Sequence, residues 1–502
     1  MKRNTPINWA MGVGCLALLS QGCALLKTDA DGSAASDWTV PEHFPVAEES
    51  ANSALLDWKE YFRDETLAGL ISDSLARNQE LNILLQEIAV SKSEVLQRKG
   101  AVFPFVRLGA GGGVDKVGEF TRSGAVEENL EIRPGEAFPD PLSDFNFRAD
   151  FSWEVDIWRR LRNERDAAVL RYLASQEGRT FMVTNLVSEI ARSYYELLAL
   201  DNQADILRQT IEVQQSALEA VRLQKAAAKV TELAVRRFEA EVLKNQSRVY
   251  DIRQQITVLE NRLNFLAGRY PTPIQRKSVG FERLSLASIA AGVPSDLLRN
   301  RPDVRRAELE LKAAGLEVKA ASARFYPSLD IGGALGFNAF QMGSLLTAPE
   351  SVAYNAVADL AAPLINRSAI KAAFQSANAR QLAALYQYQQ TMLNAYVEVV
   401  NQLAQIRNLG SGYDLKTKEV ETLTGAIGTS VELFNAARAD YTEVLLTQRD
   451  TLDARLELIE LKQRQLSAWI LAYRALGGGY DRSKPAAAAA AVTRASHSKP
   501  GN

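Results

Sequence analysis

The side chains that most often perform chemistry in proteins are scarce in this 502-residue chain and lie near its ends. The two histidines are His43 and His497, and the two cysteines are Cys15 and Cys23. Histidine supplies much general acid–base catalysis and many metal ligands, so neither is expected in the body of the chain. Isolated serines and carboxylates without a histidine partner give no activated nucleophile. We therefore expect no enzyme, no catalytic residue, no metal and no cofactor.

A glycine-rich segment at residues 109–113 superficially resembles a nucleotide-binding loop. It lacks both the Lys-Ser/Thr ending of a P-loop and the full spacing of a dinucleotide loop, so small residues in a strand explain it better. The 58 basic and 60 acidic side chains give a formal net charge of -2. Such a balance provides no whole-chain attraction to nucleic acid, and no nucleic-acid partner is expected.

The amino end has the features of an export signal. Lys2 and Arg3 give a positive start, and residues 9–20 are mostly apolar. About a dozen apolar residues are too few to span a bilayer as a helix but match the core of a signal peptide. We predict a signal peptide over residues 1–22.

Cys23 is predicted to be lipidated, with palmitate among its acyl groups. It ends the segment Leu-Ser-Gln-Gly-Cys, which resembles a bacterial lipoprotein signal. Ser20 stands where such signals usually carry an aliphatic residue, so an ordinary secretory signal with a chance cysteine is the alternative. Ala24, in place of an aspartate, favours the outer membrane over the inner one. Residues 23–54 are then a lipidated tether.

Two long stretches of the chain are predicted to be helical. No proline interrupts the stretches between residues 141 and 271 and between residues 363 and 485, although the chain has 16 prolines. Proline is the strongest helix breaker, and the other residues there favour helix. The predicted long helices cover about 160–267 and 366–476. The second stretch also holds four glycines that we expect to mark breaks or turns, namely Gly410, Gly412, Gly425 and Gly428.

The same order of elements occurs twice. A shift of 223 residues superposes Pro104 on Pro327, and the sequence at Thr231 resembles that at Thr442. A unit of roughly two hundred residues is too long for a solenoid repeat. The predicted domains are a first repeat at 55–282, a second repeat at 283–480 and a disordered tail at 481–502.

A strand in the first repeat alternates almost without fault. Residues 145–157 place aromatic and aliphatic side chains on one face and charged or polar ones on the other. Such a strand could cross a bilayer with its aromatics in lipid and its charges facing a water-filled lumen. A half-exposed strand of a soluble sheet is the alternative, which export and the lipid anchor disfavour. The four predicted strands lie at about 102–114, 144–158, 327–340 and 352–362.

Four strands cannot close a barrel by themselves. The edges would stay unpaired, and unpaired backbone in lipid is very costly. Closure therefore requires several chains.

The sequence resembles the TolC-like outer membrane efflux proteins, specifically their lipoprotein (OprM- or NodT-like) branch, over residues 55–480. The most specific match is the segment Gly-Val-Pro-Ser-Asp-Leu-Leu-Arg-Asn-Arg-Pro-Asp-Val-Arg-Arg-Ala-Glu at residues 292–308. Supporting segments are found at residues 58–62, 152–156, 325–329 and 475–480.

The resemblance implies a mixed α and β fold with an internal two-fold repeat. It implies a homotrimer, in which four strands per chain form a 12-stranded outer membrane β-barrel continued by a long periplasmic α-helical barrel. That duct docks a periplasmic adaptor (membrane fusion) protein and an inner-membrane pump of the resistance-nodulation-division type. It passively conducts drugs or other small toxic compounds out of the cell.

The resemblance also points to a gate at the periplasmic mouth. Glu443 matches a position that is often acidic in the family, whereas Leu446 occupies another that is often aspartate. Three copies of Glu443 near a narrow axis would favour cations. Arg438, Asp440 and Tyr441 are predicted to form links that hold the aperture shut. A solvated helix surface is the alternative for all of them.

The tips of the helical hairpins differ from the family pattern. Residues 226–228 are three alanines where the family usually has a glycine, and the second repeat has Ala-Ala-Arg at 436–438. The turns are therefore expected to differ in shape, and with them the fit to the adaptor. The candidate adaptor-docking residues are Ala227, Thr231, Glu232, Ala437 and Thr442.

Two other functions remain open from the sequence. The same architecture could serve a type I protein secretion system, or the chain could be a structural periplasmic coiled-coil lipoprotein. Lipidation and the segment at residues 292–308 favour small-molecule efflux over the first, and the alternating strand argues against the second.

Overall fold

The computed structural model describes residues 41–42, 44, 56–276, 280–284, 289–436 and 438–478. All of them but Pro41 belong to one compact unit, Glu42–Asn502. The predicted signal peptide, the lipidation site Cys23, the docking candidate Ala437 and the carboxyl-terminal tail lie outside the described residues.

Three helices lead into the first strand. They are α1 (Trp58–Phe62), α2 (Glu65–Arg77) and α3 (Gln79–Gly100). The Asp64 carboxylate accepts hydrogen bonds from the backbone N–H groups of Thr66 and Leu67, and the Asn78 side chain caps α3 in the same way. These side chains satisfy backbone donors that a helix start leaves free.

Four strands form one antiparallel sheet in the order β1-β4-β5-β6. Their bounds are β1 (Phe105–Asp115), β4 (Leu142–Val155), β5 (Ser328–Ala339) and β6 (Val352–Ala361). Between β1 and β4 lie a short helix, α4 (Arg122–Glu127), and a small hairpin of β2 (Glu131–Arg133) and β3 (Glu136–Ala137). The predicted fold class, with two strands from each repeat, is confirmed.

Two helical hairpins make up most of the molecule. The first consists of α5 (Arg160–Ala226) and α6 (Glu232–Leu266). The second, which follows α7 (Asp296–Asn300) and α8 (Pro302–Ala323), consists of α9 (Ser368–Asn435) and α10 (Tyr441–Ala475). At 1.5 Å per residue, the 67 residues of α5 extend about 100 Å. No helix in the described residues is both long and apolar enough to cross a membrane.

Two sequence expectations about these elements are wrong. The four glycines of the second stretch neither break nor turn the chain, because α9 is continuous through all of them. The alternating strand ends at Val155 and not at 158, because the Asp156 carboxylate accepts hydrogen bonds from the N–H groups of Leu161 and Arg162 and so caps α5. The alternation of apolar and polar residues continues to Ile157 in the sequence, so the sequence pattern alone does not show that the strand ends at Val155.

The two repeats superpose with two different shifts. The α3–β1 and α8–β5 pairs differ by 223 residues, as predicted, whereas the hairpins differ by 209, since Ala226 corresponds to Asn435 and Glu232 to Tyr441. The shorter strand connection of the second repeat accounts for the change. Thr231 therefore corresponds to Asp440, and the sequence match of Thr231 with Thr442 is two residues out of register.

A glycine occupies the equivalent position at the end of each repeat. Gly268 and Gly477 follow α6 and α10 with φ of 64° and 86°. A Cβ on Gly268 would collide with the Arg77 carbonyl, and one on Gly477 with the carbonyl of Asn300. Both the backbone conformation and the close approach therefore require glycine at these positions.

Two separate apolar clusters are found among the described residues. The central cluster joins α1, α2, α5, α6 and α10, with Tyr61 stacked at 4.0 Å between the rings of Trp469 and Tyr473. The tip cluster lies near the turn of the first hairpin and consists of Leu218, Val221, Ala234, Val235, Phe238 and Val242. The segment at residues 58–62 thus docks α1 onto the end of α10.

Candidate functional site

One face of the four-stranded sheet is apolar and exposed. Cross-strand pairing places Val106 opposite Phe151 and Phe151 opposite Gly333, so the apolar residues of the four strands share this face. Leu108 is 71% exposed and Tyr354 is 81% exposed within the chain. A contiguous apolar face of this kind on a soluble monomer would be unusual and is typical of a surface that meets lipid or protein.

The opposite face is polar and concave. Arg107 lies opposite Asp150 on β4 and forms an ion pair with it at 3.4 Å, and Arg148 contacts the same carboxylate at 3.1 Å. Together with Asn146, Asn338 and other residues they line a groove of about 720 Å³. The division into a wet and an apolar face is the one that the alternation in β4 predicted.

A row of carboxylates crosses the polar face at the helix end of the sheet. Glu154 pairs with Asp330, and Asp330 pairs with Asp359 on the next strand. Like charges directly opposite each other destabilise a sheet, and Glu154 is compensated by Arg160 at 2.5 Å. Sequence reasoning missed this row because it depends on the registers of β5 and β6, which the sequence pattern does not determine.

The sheet has two unpaired edges. Strands β1 and β6 each have a single neighbour, so a full row of backbone N–H and C=O groups on each is free to pair elsewhere. An apolar sheet with open edges cannot remain in a bilayer. Pairing of β1 with β6 of another copy satisfies both edges and closes the sheet into a ring.

An ion-pair cluster holds the sheet to the helices. Glu164 of α5 contacts Arg98 of α3 at 3.0 Å, Arg160 at 3.1 Å and Arg324, which follows α8, at 3.6 Å. One carboxylate thus joins helices of both repeats where the strands end. Glu154, at the end of β4, and Asp156, just after it, both bind the start of α5 and so fix the angle between these two elements.

The segment at residues 292–308 has a structural role in the described chain. Arg301 is only 6% exposed and binds Asp303 at 2.7 Å, Glu398 at 2.8 Å and the carbonyl of Ala475 at 2.8 Å. Burial by itself lowers the pKa of the Arg301 guanidinium, but the hydrogen bonds and charges of Asp303 and Glu398 outweigh it and raise the pKa. Its counterpart in the first repeat is Asn78, whose amide donates to the carbonyl of Leu266 at 3.0 Å.

The predicted gate residues lie together at the turn of the second hairpin. Arg438 and Asp440 belong to the turn, Tyr441 begins α10, and Glu443 follows one residue after Thr442. Among the described residues, the side chains of Arg438, Asp440 and Glu443 make no ion pair or hydrogen bond within the chain, and Tyr441 packs against the tip cluster. Links across the aperture would have to join different copies, so the gate stays a prediction.

The predicted docking residues lie at the turn of the first hairpin. Ala227 follows α5, and Thr231 precedes α6 without a side-chain cap. Glu232 binds Lys225 and, at 2.9 Å, Arg236. The hydrogen bond and charge of Lys225, reinforced by Arg236, lower the pKa of the Glu232 carboxyl. The docking role also stays a prediction.

The turn of the first hairpin is strained. Ala228 adopts a φ of 54°, in the left-handed region where glycine is usual. The alanines that replace the family's glycine therefore leave the turn in the shape that a glycine would favour. No cluster of potential metal ligands occurs in the part of the chain that is described.

The fold and its surfaces define a class of protein. An amphipathic sheet with two open edges, continued by helices about 100 Å long, is the subunit of an outer membrane channel that is completed by other subunits. The sequence model of the outer membrane efflux protein family matches residues 70–269 and 293–478. The chain belongs to this family, which is one of channels and not of enzymes. The predicted family, efflux function and outer membrane location are thereby confirmed.

Several relatives match over nearly the whole length. The cation efflux system protein CusC of Escherichia coli O6:H1 is 25% identical, covering 93% of this chain and 98% of the relative. The pyoverdine export outer membrane protein OpmQ of Pseudomonas aeruginosa is 26% identical, covering 95% and 98%. The open-state structure of the Neisseria gonorrhoeae MtrE outer membrane channel has a TM-score of 0.79 at 22% identity, covering 88% and 96%, and shares the fold.

Proposed function

We propose that three copies of this chain form the exit duct of a tripartite efflux system. The observation that carries the proposal is the four-stranded sheet with one apolar face, one polar face and two unpaired edges. Three copies pair six edges and give a closed ring of twelve strands, with charged side chains around the lumen. Each protomer continues the ring with its two hairpins, so that barrel and tunnel share one axis.

The duct conducts passively, and the energy comes from its partners. A periplasmic adaptor docks at the hairpin turns, around Ala227, Thr231, Glu232, Ala437 and Thr442. An inner-membrane pump of the resistance-nodulation-division type delivers the cargo. An acylated Cys23 anchors each copy in the outer membrane lipid, and the tether up to residue 54 joins it to α1.

The mouth of the tunnel is the gate. Glu443 of three copies forms a ring of negative charge, and Arg438, Asp440 and Tyr441 link neighbouring copies when the aperture is closed. The support for this arrangement is that these polar side chains lie at one turn and make no ion pair within the described chain. Negative charge there and at Asp330 and Asp359 on the polar face favours cations over anions.

The cargo is a class of small molecules or ions. The relatives described above are proteins of cation efflux and pyoverdine export, and another relative is a solvent efflux pump outer membrane protein. These names support small-molecule efflux over protein secretion by a type I system. A structural coiled-coil lipoprotein would have no use for the polar groove on the sheet.

Single-channel recording in planar bilayers tests the proposal. The purified full-length protein is expected to form steady, cation-preferring pores. Asp330→Asn, which removes one charge from each copy on the polar face, is expected to reduce the preference for cations, whereas Leu108→Ile on the lipid face serves as the matched control and leaves it unchanged. A protein that inserts no pores, together with an apolar sheet face protected from lipid-phase labels, would contradict the proposal.

A further inference from the structure

Three buried amide side chains, a contacting pair in the first hairpin and one on α10 of the second, make up what we call the amide layer. Gln214 of α5 is 1% exposed, Asn245 of α6 is 0% exposed and Gln448 of α10 is 8% exposed. The Asn245 amide nitrogen donates to the Gln214 oxygen at 2.9 Å. Gln214 Nε2, Asn245 Oδ1 and Gln448 Oε1 are buried without a hydrogen-bond partner. Each is therefore a buried polar atom without a hydrogen-bond partner in the chain, which costs free energy.

The layer coincides with the gap between the two apolar clusters. On α6, Val242 belongs to the tip cluster and Val249 to the central cluster, with Asn245 between them. On α10, Leu445 packs on the tip cluster and Leu452 belongs to the central cluster. Gln448 lies between these two leucines. On α5, Gln214 likewise lies between Leu207 of the central cluster and Leu218 of the tip cluster. On each of the three helices, a buried amide therefore separates the residues of the two clusters.

The second hairpin has no amide pair between its own two helices at the positions that match Gln214 and Asn245. With the hairpin shift of 209 residues, Leu423 corresponds to Gln214 and Ala454 corresponds to Asn245. The side chain of Ala454 is buried, and the hydrogen bonds that cross between α9 and α10 there run from the Thr451 hydroxyl to the Leu423 carbonyl and from Arg455 to the Thr424 hydroxyl. The same fold therefore tolerates an apolar pair at this position, so the amides of the first hairpin are not needed to build it.

We propose that the amide layer makes the tip of the first hairpin a separately opening unit. Apolar packing is cooperative only where clusters are continuous, and a layer with unpaired polar atoms weakens the coupling across it. The tip below the layer, about 18 Å of helix from Gln214 to Ala226 at 1.5 Å per residue, then opens and closes while the central cluster stays packed. Tyr441 and Leu445, which rest on the tip cluster, are released in the same event.

The consequence for transport deepens the proposed function and rests on it. The turn of the second hairpin, where the proposed gate residues lie, is held by the contacts of Tyr441 and Leu445 with the tip of the first hairpin. Because that tip opens locally, the periplasmic mouth can widen while the central cluster of the tunnel wall stays packed. The opening unit itself does not depend on transport and can be measured without it.

Amide hydrogen exchange of the purified, assembled protein tests the inference. In the native protein, peptides from residues 218–242 are expected to exchange at least tenfold faster than peptides from residues 249–263. The double variant Gln214→Leu/Asn245→Ala copies the second hairpin into the first and is expected to slow exchange of residues 218–242 by about tenfold, equal to about 1.4 kcal/mol. Exchange above the layer should not change.

The reciprocal change provides the matched control. Leu423→Gln/Ala454→Asn is expected to speed amide exchange in the part of the second hairpin between residue 423 and residue 454, which contains its turn. Exchange of residues 218–242 should stay unaffected. Gln448→Leu, a milder variant that keeps the first hairpin intact, is expected to slow exchange of residues 218–242 by a smaller factor. Equal protection on both sides of the layer in the native protein, or no slowing in either Leu variant, would overturn the inference. A failure to conduct in bilayers with the exchange pattern intact would instead count against the proposed function alone.

Discussion

The long first helices of the two hairpins, α5 and α9, have 67 and 68 residues but are stabilised differently. Helix α5 buries side chains along its whole course, as far as Val221 near its end. Helix α9 buries none against its own chain beyond Leu409. The first hairpin is therefore complete within one protomer, whereas the lower half of α9 needs another copy to cover it. The two repeats thus share their order of helices but differ in how much of the long helix one chain covers.

The two hairpins also differ in the ion pairs that form near their turns. Near the first turn, Glu232 binds Arg236 at 2.9 Å and Arg222 binds Glu219 at 2.7 Å. Between residues 420 and 448, leaving out residue 437, no ion pair forms within the described chain. Unsatisfied charge at the second turn is available to neighbouring copies, which is what a gate between subunits requires.

The largest difference is expected where each repeat closes, at Arg301 and at its counterpart Asn78. Arg301→Ala removes the cation that Asp303 binds and one of the two arginines on Glu398, which keeps Arg474, and should cost about 3 kcal/mol of unfolding free energy. Asn78→Ala removes one cap and one bond to the Leu266 carbonyl, and should cost about 1–2 kcal/mol. Denaturant unfolding of the two variants side by side measures the difference. Equal costs would show that the two junctions are energetically alike.

The glycines of α9 are expected to make this helix less stable than α5. A Cβ at Gly425 or Gly428 would meet nothing within 4 Å in the chain. Gly425→Ala/Gly428→Ala should therefore stabilise the helix by about 2 kcal/mol in total, at about 1 kcal/mol each. Ser216→Gly, at the position in α5 that corresponds to Gly425, should destabilise the first hairpin by a smaller amount. Thermal unfolding and local hydrogen exchange would check both, and a loss of assembly in the double variant would mean that neighbouring copies use those glycines for close contact.

The gate prediction concerns the charge of the second turn. Glu443→Ala introduces the residue that the first hairpin has at the corresponding Ala234. Losing a charge whose pull on a cation is about 1 kcal/mol should lower cation preference roughly fivefold and raise single-channel conductance. Asp440→Ala should act in the same direction. Glu212→Gln, on an exposed part of the first hairpin, is the control. Unchanged conductance and selectivity in both gate variants would remove these residues from the gate.

Strain at the first turn can be relieved. Ala228→Gly allows the φ of 54° without a Cβ penalty and should stabilise the hairpin by about 0.5–1 kcal/mol, since part of the gain is offset by the entropy of glycine in the unfolded chain. Ala227→Gly next to it, where φ is negative, should be neutral or destabilising. Midpoints of thermal unfolding would separate the two, and a loss of stability in the Ala228 variant would contradict the account of the turn.

The smallest effect is expected from Lys462 in the second hairpin. Burial lowers the pKa of its ammonium group, which donates to the Leu284 carbonyl at 2.6 Å. The unfolded chain then binds a proton more tightly than the folded one, so stability should rise slightly as the pH increases through the window between the folded pKa and the usual lysine value. Lys462→Met should abolish this rise in midpoints measured from pH 8 to 10.5. A wild-type midpoint that falls in this interval relative to the variant would give the wrong sign.

Much of the fold follows from local sequence patterns. The alternation from Phe145 to Val155 predicts a strand with one wet face, and the proline-free stretches predict the hairpins, because both patterns depend only on neighbours along the chain. The positions where elements end are harder to predict. The Asp156 cap ended β4 early, and Gly425 was compatible with a helix because its neighbours favour one strongly enough.

Features that join distant parts of the chain could not be predicted. The amide pair of Gln214 and Asn245 depends on the register of two helices, and the row of Asp330 and Asp359 depends on strand pairing. The two-residue error in matching Thr231 to Thr442 arose because a short similarity in sequence outweighed the geometry of the turns. A sequence shows which side chains are present, and only packing shows which of them meet.

The central claim is that the sheet of one chain is completed by its copies. The most direct test is the native mass of the full-length protein extracted in mild detergent, measured together with protection of the β1 and β6 backbone amides from hydrogen exchange. The account predicts a trimer in which both edges are as protected as β4 and β5. A stable monomer, or an assembly whose β1 and β6 edges exchange freely, would contradict it.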